Sequence, residues 1–160
     1  MEDIWNITAL VVSVLSVLLS LYALRQATTK NTSDMYLFFI SQYAKEDMKL
    51  ALRKLKDIKR GVYRLERWES DMKNNLPKAF EYDEARRLVK YFYDTLAYMK
   101  LEKLIEARFV RLICLKKGAW LYLDTVEAME KFFDSGYDKK PYAVIRDVCE
   151  NLRKEGCCPP

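Results

Sequence analysis

The chain has 160 residues, a net charge of +5, four glycines, four prolines and no histidine. Without histidine, Ser–His–Asp triads, HExxH zinc sites and carboxylate–histidine di-metal centres are excluded. Isolated glycines exclude a phosphate-cradling loop, and so few turn residues argue for an all-α fold of a few long helices.

The first element is the run IWNITALVVSVLSVLLSLYAL at residues 4–24, which carries no charge. A helix rises about 1.5 Å per residue and a bilayer core is about 30 Å thick, so this length predicts one transmembrane helix. The acidic start, Met1-Glu2-Asp3, argues against a cleaved signal peptide. Arg25 and Lys30 follow the run and no basic residue precedes it. The positive-inside rule then predicts a single-pass protein of the cell membrane, with the N-terminus outside and the remaining domain cytoplasmic. Residues 1–30 are expected to form the anchor and juxtamembrane segment, 31–155 a cytoplasmic helical domain, and 156–160 a flexible tail. Within the run, Ala9, Ser13, Ser16, Ser20 and Ala23 recur at steps of four and three. Small residues on one face let helices approach closely, so these are the candidate association face.

Asn31-Thr32-Ser33-Asp34 offers N-cap candidates for a dense apolar helix through Met35 to Ala44. Glu46 and Asp47 suit the start of the next helix, where the dipole favours negative charge. Its inner set is Met48, Ala51, Leu52, Leu55, Ile58 and Val62. Lys49, Arg53, Lys56 and Arg60 line the opposite side. Between residues 45 and 67, nine basic side chains outnumber four acidic ones. The stripe is the candidate contact for anionic lipid headgroups.

Trp68, Met72 and Leu76 point inward on a short helix that ends before Pro77. The spacing then predicts a strongly amphipathic helix over 83–100, with Ala85, Leu88, Val89, Phe92, Leu96 and Met99 inside and Arg86, Arg87 and Lys90 outside. A segment from Ala107 to Leu115 is expected to bury Phe109, Val110, Leu112 and Ile113. Another, reaching Phe133, is expected to carry Ala119, Tyr122, Leu123, Val126, Met129 and Phe133 inward. Pro141 opens a last helix with Ile145, Val148, Cys149 and Leu152 inside. The predicted fold is thus one transmembrane helix followed by a bundle of about five to six helices.

The order of an acidic N-terminus, one apolar run, Tyr36-Leu37-Phe38-Phe39, a basic amphipathic helix and Asp83-Glu84-Ala85-Arg86-Arg87-Leu88-Val89 with Phe92 resembles a family of proteins. These are small single-span prokaryotic membrane proteins whose cytoplasmic helical domain has no assigned function. The resemblance runs from the apolar run to about Phe133. It implies an all-helical domain and supplies no active-site residue.

Chemistry-bearing residues are few. Asp83/Glu84 and Glu102/Glu106 read as helix-end carboxylates. Cys114 and Cys149 fall within apolar patterns, where a thiol behaves as a small hydrophobe, and the spacing of the four cysteines fits a reducing compartment better than a disulfide scaffold. Cys157 and Cys158 are the candidates for a redox-sensing or lipidated pair. The aromatics lie on inner stripes, not interleaved with exposed arginine, which argues against nucleic-acid binding. No cofactor and no metal are expected. The reading is a membrane-anchored, non-enzymatic scaffold, adaptor or accessory subunit that associates with the bilayer, forms a homo-oligomer or larger membrane complex and assembles through its span. The alternatives are a membrane-active effector or pore-forming oligomer and, further, a cysteine-dependent enzyme or redox sensor.

Overall fold

The structure, a computed structural model, describes residues 2–133 and 137–157; within the first helix it describes the side chains of residues 15–23, 26 and 33–44. All described elements are helices: α1 (Glu2–Ala44), α2 (Glu46–Lys59), α3 (Leu65–Lys73), α4 (Pro77–Leu101), α5 (Ala107–Cys114), α6 (Lys117–Leu121), α7 (Glu127–Phe133) and α8 (Lys139–Lys154), with a π-helical turn at Tyr122–Val126. The chain divides into two compact units, Met1–Leu37 and Phe38–Pro160.

The expected transmembrane helix at residues 4–24 is corrected: among the described residues, no helix is long and apolar enough to cross a membrane. Residues 15–23 are the part of that run whose side chains are described. Asn31-Thr32-Ser33-Asp34 does not start a new helix, because α1 runs through it to Ala44. With neither proline nor glycine there, nothing in the sequence forces a break.

In the second unit, α4 is the central element and packs against α2, α3, α8 and the π-helical turn. It begins six residues earlier than the period suggests, with Pro77 at its first turn. Proline fits that position because its missing N–H would have no helical partner. Asn75, at φ 54°, turns the chain out of α3 just before it. Leu76, expected inside, caps α4 and is exposed.

α2 buries Met48, Ala51, Leu55 and Ile58, as its spacing predicts, but Val62 is 75 % exposed. Gly61 explains the difference. It adopts φ +74°, donates to Ile58 O, and lets Val62 N reach back to Asp57 O, which ends the helix before Val62. At the other end of the unit, Asp138 caps α8 by accepting from Lys140 N at 2.9 Å. Ile145, Val148, Cys149 and Leu152 form the buried stripe of α8, with Tyr142 at its start.

The core is rich in aromatic side chains in contact. Phe39 meets Phe92 edge-on at 5.3 Å, and Tyr93 stacks on Tyr122 at 5.1 Å. Tyr122 stacks in turn on Tyr142 at 4.4 Å, and Tyr137 leans on Tyr142 at 5.5 Å. Gly118 lies against this stack, where a Cβ would come within 2.7 Å of the Tyr93 hydroxyl. Only glycine lets the first turn of α6 approach so closely.

Candidate interaction surfaces and the buried charge network

Side chains that carry chemistry fall into four groups. The first is the apolar run of α1. Leu15, Val17, Leu18, Leu19, Leu21 and Tyr22 are 53–67 % exposed. At about 100° per residue they cover well over half of the helix circumference. Ser16, Ser20 and Ala23 share the remaining side and are also exposed. The Ser20 hydroxyl donates to Ser16 O at 2.8 Å, so its polarity is met within its own helix. Ala9 and Ser13, the other expected members of this face, lie outside the described side chains.

The second is the basic stripe of α2. Lys49, Arg53, Lys56 and Arg60 all lie on the exposed side, opposite the buried set. Lys49 pairs with Glu46 at 3.2 Å. Their neighbours Lys54 and Lys59 reach across to Glu81 at 3.1 Å and Asp124 at 2.5 Å. Thus part of the local positive charge is internally matched.

The third group is a groove of about 260 Å³ whose walls include Phe38, Phe39, Met48, Leu88, Tyr91 and Phe92. Leu88 was expected in the core, yet it sits half out of it and lines this groove.

The fourth is a network of buried charges that helical periodicity alone does not reveal. Asp83 and Arg86 of α4 and Glu127 and Glu130 of α7 are all buried. Arg86 donates to Asp83 Oδ1 at 2.7 Å and pairs with Glu130. Arg87 holds the other Asp83 oxygen at 2.6 Å. Lys90 bridges Asp94 at 2.5 Å and Glu130 at 3.8 Å, and the Tyr122 hydroxyl donates to Asp94 Oδ1 at 2.5 Å. Glu127 accepts from Arg146 and Tyr137.

The π-helical turn brings its members to one side. In an α-helix, residues five apart differ by about 140° around the axis. Here Glu127 N donates to Tyr122 O across five residues, so Glu127 sits nearly above Tyr122. Asp83 is therefore an interior ion-pair partner in the second turn of α4, not a helix-end carboxylate. Glu102, by contrast, does cap the C-terminus of α4.

Burial governs the tyrosines. It raises the pKa of Tyr43, Tyr63, Tyr82, Tyr93, Tyr122 and Tyr142, with the acceptor Asp94 adding to it at Tyr122 and Asp71 at Tyr63. At Tyr137, burial and the bond to Glu127 raise it to about 12. A raised folded-state pKa means stability that is present below the unfolded value of 10.0 and lost as pH rises through the folded one. Alkaline titration is therefore expected to show the buried tyrosinates appearing together with loss of helical circular dichroism. Full tyrosine ionisation with the helices intact would contradict this packing.

Two cysteines lie in the core: Cys114 of α5 and Cys149 of α8 are both buried and free. Cys157 is exposed, and Cys158 lies outside the described residues. Among the described residues, no three Cys, Asp or Glu side chains are grouped to hold a metal ion. No protein-family model, no curated protein and no solved structure matches this chain, so its functional reading rests on its own residues.

Proposed function

We propose that this protein is a non-enzymatic helical scaffold or adaptor that assembles by gathering the α1 segments of several copies into one bundle. The observation that carries this reading is the ring of exposed Leu15, Val17, Leu18, Leu19, Leu21 and Tyr22. A helix that is apolar on most of its circumference needs cover on more than one side. Each large apolar side chain taken out of water stabilises the assembly by roughly 1.5–3 kcal/mol. A second copy suits this surface because residues 15–23 carry no charge, so like segments align without repulsion. The Ser16, Ser20 and Ala23 side gives the narrow line where two backbones approach.

The rest of the chain supports a structural role. In the second unit the buried carboxylates are met by Arg86, Arg87, Lys90 and Arg146, an arrangement that fixes helix positions. The test is chemical cross-linking of the full chain beside a variant carrying Leu15→Gln, Leu18→Gln, Leu19→Gln and Tyr22→Gln. Glutamine keeps good helix propensity while removing the apolar surface. The expected result is a ladder of cross-linked species in the parent and monomer in the variant; the same ladder in both would overturn the proposal.

A further inference from the structure

Val62, between α2 and α3, is the most exposed large apolar side chain among the described residues of the second unit. Its neighbours hold it there. Once Gly61 has turned the chain, Val62 N and Tyr63 N both donate to Asp57 O, at 2.9 and 3.3 Å. Tyr63 goes inward: its ring is buried against Tyr82 at 4.5 Å, and its hydroxyl donates to Asp71 Oδ2 at 2.7 Å. With Tyr63 anchored, the adjacent Val62 is a fixed projection of the corner, not a frayed end.

The same corner is basic. Lys59, Arg64 and Arg67 line one open hollow of about 620 Å³ beside Gly61, and Glu66 is the one acid among its lining residues. Arg60 and Arg64, two residues to either side of Val62, are exposed. Neither makes an ion pair among the described residues, and nor do Arg53 and Lys56 of the α2 stripe. Lys59 is held by Asp124, and Arg67 lies 3.7 Å from Asp71.

We propose that the α2–α3 corner docks on an anionic phospholipid surface, with Val62 entering the acyl boundary and Arg60 and Arg64 bonding lipid phosphates on either side of it. The contact is peripheral and needs no span. A guanidinium suits a phosphate because its planar fork gives two parallel N–H···O bonds. A free phosphate or a nucleic acid would engage the arginines and leave Val62 in water, whereas a lipid surface takes up both. Arg53 and Lys56 extend the positive field along α2 and add attraction that fades with salt.

The test is co-sedimentation of the full chain with lipid vesicles, in a background carrying the four glutamine substitutions of α1 so that its apolar ring adds no affinity. Vesicles of phosphatidylcholine mixed with phosphatidylserine are expected to bind more protein than phosphatidylcholine alone, with the gap closing as salt rises. Arg60→Gln with Arg64→Gln should weaken binding to the mixed vesicles roughly 30-fold, at about fivefold for each cation removed. Val62→Ser should weaken it about tenfold. Circular dichroism should be unchanged in both variants, since all three side chains are exposed. Equal binding to the two vesicle types, or mixed-vesicle binding unmoved by either variant, would overturn the proposal. Binding of a DNA duplex that needs the arginines but not Val62, with no preference for phosphatidylserine, would assign the corner to nucleic acid and overturn it as well. None of these outcomes depends on whether α1 gathers several copies.

Discussion

Replacing Arg86 with methionine is expected to cost about 3–5 kcal/mol of folding stability, seen as a lowered urea midpoint at unchanged slope. Arg86 is 7 % exposed and stands between Asp83 of α4 and Glu130 of α7. Asp83 retains Arg87 in the variant, but among the described residues Glu130 keeps only Lys90, at 3.8 Å. A buried carboxylate without a close cation is far costlier than the lost attraction itself. The same guanidinium lies over the Phe133 ring at 4.7 Å, so packing is lost with the charge. The double variant Arg86→Met/Glu130→Gln should recover part of the loss, because the stranded charge is then removed. A loss below about 1 kcal/mol for the single variant would place Arg86 outside the interior.

Trp68→Ala is expected to match that effect at about 3–5 kcal/mol, for a different reason. Trp68 is wholly buried and is the one buried residue of the short helix α3. Its ring meets Phe132 at 5.4 Å and Phe133 at 5.8 Å, and its Nε1 donates to Ala79 O at 3.2 Å. One side chain therefore pins α3 to both the start of α4 and the end of α7. Alanine would leave a cavity and remove that hydrogen bond together. For a domain of this size, whose total stability is about 5–15 kcal/mol, that is a large share. Hydrogen exchange should then show α3 opening at lower energy than α4. Uniform exchange through α3 and α4, with the midpoint unmoved, would contradict this role.

Much of the second unit is readable from periodicity because its helices bury one stripe each. Met48, Ala51, Leu55 and Ile58 mark α2, and Ile145, Val148, Cys149 and Leu152 mark α8, at the spacing that a 3.6-residue period dictates. Where the reading missed, a tertiary feature overrode the local pattern. By pattern alone Arg86 belongs outside, because charge usually faces water, and Asp83 reads as a helix-end carboxylate. They are inside because α7 supplies Glu130, from 44 residues further along the chain. Pro77 read only as a stop, although the same residue type starts α4. Leu88 fits the apolar stripe of α4 yet lines an open groove, since nothing in a single helix's pattern says how wide its cover is.

The π-helical turn is invisible to a fixed period, and it is what brings Tyr122 and Glu127 to the same side. For residues 4–24 the uncharged length suggested a bilayer, whereas no described helix is long and apolar enough to cross one. The described apolar surface at residues 15–22 still needs cover, and the proposed bundle of copies provides it.

The most direct test of that account is the mass of the intact 160-residue chain in solution, measured by sedimentation equilibrium over a wide concentration range. The account predicts an assembly of three or more copies that the four glutamine substitutions in α1 reduce to monomer, with helical content preserved. A parent chain that stays monomeric at every concentration would contradict it.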